Sequence, residues 1–82
     1  MVYWEALYKI LLERFQKKPI WSTDAIKLAE MIRLHEQYPS IIVRKMESAV
    51  NKINKRKLLN ISLDVQRPRN GKAVLTFLKM KN

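Results

Sequence analysis

The chain has 82 residues, 48% of them hydrophobic, with 17 Lys and Arg against 7 Asp and Glu, a formal charge of +10 and a pI near 10.2. That length allows one domain, residues 1–82, with a modest core; its apolar and aromatic content argues against disorder, and the lack of cysteine removes disulfides, thiolate zinc sites and thiol chemistry. No apolar run approaches the roughly 20 residues of a membrane span, and the N-terminus reads as an aromatic, Glu-containing helix rather than a signal peptide.

Residues 2–18 lack Gly and Pro and predict a first helix, ended by Pro19. Trp4, Leu7, Leu11 and Phe15 make one stripe at helical spacing, and Tyr3, Tyr8, Ile10 and Leu12 widen it well past the roughly 100° arc a surface helix needs. Two explanations are open. Either the helix is central and wrapped on several sides, or Tyr3, Tyr8, Ile10 and Leu12 form a homodimer interface.

Residues 19–22 suit a short extended segment, an extra strand. Ser22, Thr23 or Asp24 then offers an N-cap to a second helix over about 23–36, which buries Ala25, Leu28, Ala29 and Ile32 and is polar at Lys27, Glu30 and Arg33. His35, without acidic or thiol neighbours at ligand spacing, reads as a boundary residue rather than a metal ligand. Gln37-Tyr38-Pro39-Ser40 is expected to form a tight turn, with Ser40 capping a third helix over about 40–57. A helix-turn-helix and an ordinary helical hairpin would both show this pattern.

The third helix is strongly two-faced. At 100° per residue Ile42, Met46, Ala49, Val50 and Ile53 fall on one side, with Arg44, Ser48, Asn51 and Lys55 nearly opposite. Cations beside small hydrogen-bonding side chains are the types that reach phosphates and base edges in a DNA major groove, although many charged helix faces are merely solvated.

Leu59, Ile61, Leu63 and Val65 alternate with polar residues, which predicts a half-buried strand, and Asn70-Gly71 signals a two-residue hairpin turn returning along residues 73–81. That turn would set Val65 opposite Thr76, Leu63 opposite Leu78 and Ile61 opposite Met80. Leu75 and Phe77 would then lie on the polar face, touching a neighbouring element or a partner. The tip carries Arg67, Arg69, Asn70 and Lys72, whose cations suit a minor groove or a phosphate clamp, though such charges also protect strand edges.

The charge follows these elements. Residues 1–40 hold Lys9, Arg14, Lys17, Lys18, Lys27 and Arg33 against Glu5, Glu13, Asp24, Glu30 and Glu36, a net of +1. Residues 41–82 hold eleven cations against Glu47 and Asp64 alone, a net of +9. Such asymmetry points to a polyanionic partner.

The order of helix, short extended segment, helix, turn, basic helix, strand, basic Asn-Gly tip and strand resembles a winged helix-turn-helix domain over nearly the whole chain. The expected fold class is therefore α+β, three helices followed by a two-stranded wing over about 59–81. The wing and returning strand, with Arg67, Arg69 and Leu75-Thr76, are similar to those of MarR-like regulators, but the long flanking dimerisation helices are missing. Size and a Lys- and Ile-rich, cysteine-free composition look closer to minimal winged-helix regulators of archaea and of their viruses and plasmids.

The resemblance implies a transcription regulator that reads double-stranded DNA, expected as a homodimer. Arg44, Ser48 and Asn51 would face base edges. Ser40, Lys45, Lys52, Lys55 and Arg56 would support them from the same helix, and Arg67, Arg69, Asn70 and Lys72 would form the wing contacts. The alternative is a protein-interaction winged helix of a replication or transcription assembly, using Leu75, Phe77 and the first helix as its surface. RNA binding lacks an aromatic platform, and membrane binding lacks aromatic anchors on the basic helix. With one His, no Cys and scattered carboxylates, no catalytic set, cofactor, metal site or small-molecule ligand follows. A soluble protein of the cytoplasm, or of a host cell's cytoplasm if viral, is expected. The Met start and compact punctuation are those expected of a whole protein.

Overall fold

The computed structural model describes residues 3–68 and 71–81. It is an α+β arrangement of α1 (Tyr3–Phe15), β1 (Ile20–Asp24), α2 (Ala25–Met31), α3 (Pro39–Lys55), β2 (Ile61–Gln66) and β3 (Val74–Lys79). The strands form one antiparallel sheet in the order β1-β3-β2. The extended segment after Pro19 is thus a full strand, paired along its length with β3. Among the described residues no helix is long and apolar enough to cross a membrane.

Helix α1 buries Leu7, Leu11 and Phe15, with Glu5 in its first turn and Arg14 in its last, where each complements the helix dipole. Its final residues tighten into a turn as the chain approaches Pro19. The wide apolar arc is mostly absorbed within one chain. Tyr3, Tyr8 and Ile10 are half-buried against the core, and only Leu12 of the four is exposed. At 100° per residue, moreover, Tyr3 and Ile10 lie on one flank of the buried stripe and Tyr8 and Leu12 on the other. The four do not share a face.

Strand β1 runs straight into α2 because Asp24 ends the one and caps the other. Its Oδ2 accepts the Lys27 backbone N–H at 3.1 Å, so Asp24 is the cap among the three candidates. Helix α2 is shorter than expected and stops at Met31 rather than near residue 36. Arg33 takes a left-handed φ of 57°, the Leu34 N–H reaches the Ala29 carbonyl at 2.8 Å, and the Arg33 N–H reaches Glu30 at 3.2 Å. This is a Schellman closure without glycine. Continuing the helix would have carried Leu34 to the polar side; ending it lets Leu34 pack against the core. Residues 32–38 are therefore a real connection, not a tight turn.

Helix α3 begins one residue before the expected cap. Tyr38 occupies the N-cap position with no side-chain bond, and Pro39 is the first helical residue, where its fixed φ fits and its missing N–H is not needed. Ser40 lies exposed in the first turn. The helix buries Ile42, Val43, Met46, Ala49, Val50 and Ile53 against α1, α2 and β2. It closes as α2 does, with Lys57 at φ 57° and the Leu58 N–H on the Ile53 carbonyl at 3.2 Å.

The hairpin register differs from expectation by one residue. Ile61 opposes Lys79, Leu63 opposes Phe77 and Val65 opposes Leu75, because the loop runs from residue 67 to 73 rather than through a two-residue turn. Gly71 has φ +68°; Asn70 lies outside the described residues. A slip of one residue exchanges the two faces of a strand. Leu75 and Phe77 consequently point inward and are wholly buried, while Leu78 and Met80 are exposed. The exchange removes a phenylalanine from water in place of Thr76, a sufficient reason for this register over the tighter turn. On the inner face Trp21 stacks on Phe77 at 5.9 Å, and on the outer face the Ser22 and Thr76 hydroxyls meet at 2.8 Å.

Two outcomes check this account. In urea denaturation Phe77→Ala is expected to lose ~3–5 kcal/mol and Leu78→Ala less than ~1 kcal/mol; the opposite order would restore the two-residue turn. Arg33→Gly should stabilise the protein by ~0.5–1 kcal/mol, read as a rise in Tm of about 2–8 °C, because glycine enters the left-handed region without the side-chain clash.

Candidate nucleic-acid interface

The outward face of α3 follows from its inward one. Once six apolar side chains face the core, Arg44, Ser48, Asn51 and Lys55 are left exposed in a row, with Glu47 the one acid of the helix beside them. From Arg44 to Lys55 the row extends about 16 Å at 1.5 Å per residue, close to the rise of five base pairs. Lys55 is also in the last helical turn, where its charge complements the dipole.

The remaining cations of α3 are held differently. Lys45 is half-buried and its Nζ lies 3.9 Å from Glu36 Oε2, the one ion pair among the described residues. Lys52 and Arg56, four residues apart and therefore on one flank, both sit over the ring of Trp4, at 5.8 Å and 5.0 Å from its centroid. The sequence pattern assigns Trp4 to a core stripe. In the structure the indole is half-buried, and the face it keeps outside the core carries these two cations. The contact with the ring restricts the Arg56 guanidinium while its N–H groups remain able to donate.

Asn54, which the sequence pattern does not single out, joins α3 to β2. Its Nδ2 donates to the Ile61 carbonyl and its Oδ1 accepts the Ile61 N–H, both at 2.8 Å. A side-chain amide can satisfy both backbone groups of one residue on a strand edge. Residues 56–60 leave the helix between these anchors, so α3 fixes the start of β2. Nothing in the spacing reveals the pairing, because it depends on how far the chain turns after Lys57.

At the loop between β2 and β3, Arg67 and Lys72 are exposed. Arg69 and Asn70, also expected in the wing, lie outside the described residues. A further cationic group was not anticipated. Arg14, Lys17 and Lys18, at the far end of α1 from Trp4, line a cleft of about 160 Å³ with Ile20 and Trp21, and the Arg14 guanidinium lies 5.1 Å from the Trp21 ring centroid. The i, i+3, i+4 spacing of the three cations was legible, but their junction with Trp21 depends on β1 folding back.

His35 is exposed in the connection between α2 and α3, and no group of three or more His, Cys, Asp or Glu able to hold a metal occurs among the described residues. Comparison with models of known protein families, with curated proteins and with solved structures finds no match to this chain.

The Trp4 stack has a measurable consequence. In a double-mutant cycle followed by thermal denaturation, Trp4→Leu and Arg56→Gln are expected to couple by ~0.5–1 kcal/mol, the usual strength of an exposed cation–π contact. Additive effects would mean that the two side chains are merely near one another.

Proposed function

We propose that this protein is a winged helix-turn-helix transcription regulator that reads double-stranded DNA by sequence. The observation carrying this reading is the exposed row Arg44, Ser48, Asn51 and Lys55, set opposite the buried face of the longest helix and nearly free of acid. The element order, with β1 pairing to the outside of the β2–β3 hairpin, supports the winged-helix assignment. In this reading α3 lies in the major groove. Arg44 matches the acceptor pair of guanine, Asn51 the acceptor and donor of adenine, and Ser48 either base. Lys55, with Lys52 and Arg56 braced on Trp4, meets phosphates, while Arg67 and Lys72 meet the backbone or minor groove beside it.

A homodimer on a two-fold site is part of the proposal, since paired half-sites supply specificity that one short helix does not. The four α1 residues expected at its interface lie on two flanks, so the second copy has to use one of them. The groove of Ile10 with Met31 on one flank and Leu12 on the other offer apolar surface there. The competing interaction-module reading uses Leu75, Phe77 and the excess apolar face of the first helix as its contact surface; of these, Leu75 and Phe77 are wholly buried, which leaves it the helix alone.

Fluorescence anisotropy tests the proposal with a random 30-base-pair duplex and with DNA from upstream of the protein's own coding region, at low and near-physiological salt. A gap of at least ~10³-fold that survives added salt is expected. Arg44→Ala and Asn51→Ala should each relax preference at one base pair by ~1–3 kcal/mol, whereas Lys55→Gln should weaken all sequences alike and flatten the salt slope by about one. Equal affinities for both duplexes that collapse together with salt would reject sequence reading.

A further inference from the structure

A cleft away from the exposed row of α3 lies at the base of the hairpin. It has a volume of about 530 Å³ and is formed by the last turn of α3, the linker to β2 and the far end of β3. That volume is within the range of ordinary small-ligand sites, roughly 300–1,000 Å³. Its lining is chemically one-sided. Lys57 and Lys79 supply ammonium groups, Asn54 and Asn60 supply carboxamides, Leu58 and Met80 supply apolar surface, and no carboxylate contributes. Neither lysine has a carboxylate partner among the described residues.

The two apolar residues are exposed, Leu58 by 40% and Met80 by 43%. Their exposure has structural causes. Leu58 follows Lys57, whose left-handed φ of 57° turns the chain sharply out of α3, and Met80 leaves β3 with its N–H held by the Asn60 carbonyl at 2.8 Å. Backbone bonds thus hold both side chains beside the cleft. Unpaired cations next to fixed apolar surface recognise a molecule with the same division: an acid group on an apolar body.

We propose that this cleft binds a small amphipathic anion, a carboxylate or sulfonate carried on an alkyl or aryl group. The acid group lies between Lys57 and Lys79, and the apolar body covers Leu58 and Met80. The site stands independently of DNA reading. It abuts Asn54, whose two bonds join α3 to β2, so a bound anion touches the joint between the helix and the hairpin.

The test uses the full chain without DNA. Titration with 8-anilinonaphthalene-1-sulfonate should give a saturable rise in fluorescence that octanoate reverses. The double substitution Lys57→Asn with Lys79→Gln should raise the dissociation constant at least tenfold with unchanged circular dichroism; asparagine is chosen because it tolerates the left-handed backbone. Lys9→Gln, in the groove between α1 and residues 31–33, should change nothing. Absence of saturable binding would overturn the proposal, and so would loss of binding that follows Lys9 instead of the lysine pair. If the double variant unfolds, octanoate added to the ¹⁵N-labelled wild type decides the matter. Amide shifts centred on residues 57–60 and 79–80 support the site, whereas shifts centred on residues 6–10 and 31–34 reject it.

Discussion

Strand β3 is hydrogen-bonded along both edges, and its inward side chains Leu75 and Phe77 are wholly buried; the rest of the molecule is placed by that one strand. Trp21 of β1 stacks on Phe77 from one side, and Leu63 of β2 opposes Phe77 from the other. Val74 to Leu78 thus each set the height of a partner on both neighbours. Because pleat alternation is strict, the choice of which β3 residues face inward also decides which residues of β1 and β2 do. The helices pack on the face so defined, with α3 lying against β2 and α1 against β1.

From this scaffold the outward surface of α3 emerges almost by subtraction. A helix that gives one side to α1, α2 and β2 has only one side left, and apart from Glu47 its side chains there are cationic or small and polar. Arrangement around that row is less free than a list of charges suggests. Lys45 is drawn toward Glu36, Lys52 and Arg56 are drawn toward Trp4, and Asn54 holds the strand that follows. The cations with neither an acid nor an aromatic partner are Arg44 and Lys55, at the two ends of the row. Each such surface contact is worth at most about 1 kcal/mol, so the row is held in place chiefly by the six buried side chains on the other side of α3.

What could be read from the sequence was what depends on period. The two faces of α3, the buried positions of α2, the stripe of α1 and the alternation of β2 all follow from spacing along a single element, and the structure has them. What could not be read depends on chain reversal. Asn70-Gly71 is a strong signal for a two-residue turn, but the gain from burying Phe77 outweighs local turn preference and lengthens the loop. The end of α2 was missed because glycine ordinarily marks such a stop and here arginine occupies the left-handed position. The clamp made by Asn54 and the stacking of two cations on Trp4 join residues 7 and about 50 positions apart, distances over which one sequence carries no periodic trace.

The position of β3 at the centre of the sheet, yet late in the chain, shapes how the protein is made. Ser22 and Thr76, bonded across the outer face, are 54 residues apart. On a ribosome adding roughly 5–20 residues per second, β1 waits about 3–11 s for the strand that pairs with it. During that interval Trp21 has no Phe77 to stack on, and β1 is an open template for another nascent chain. Helices α1, α2 and α3 can form early from local contacts, but the sheet closes only once β3 has been made, which ties successful folding to the rate of translation and to crowding at the ribosome exit.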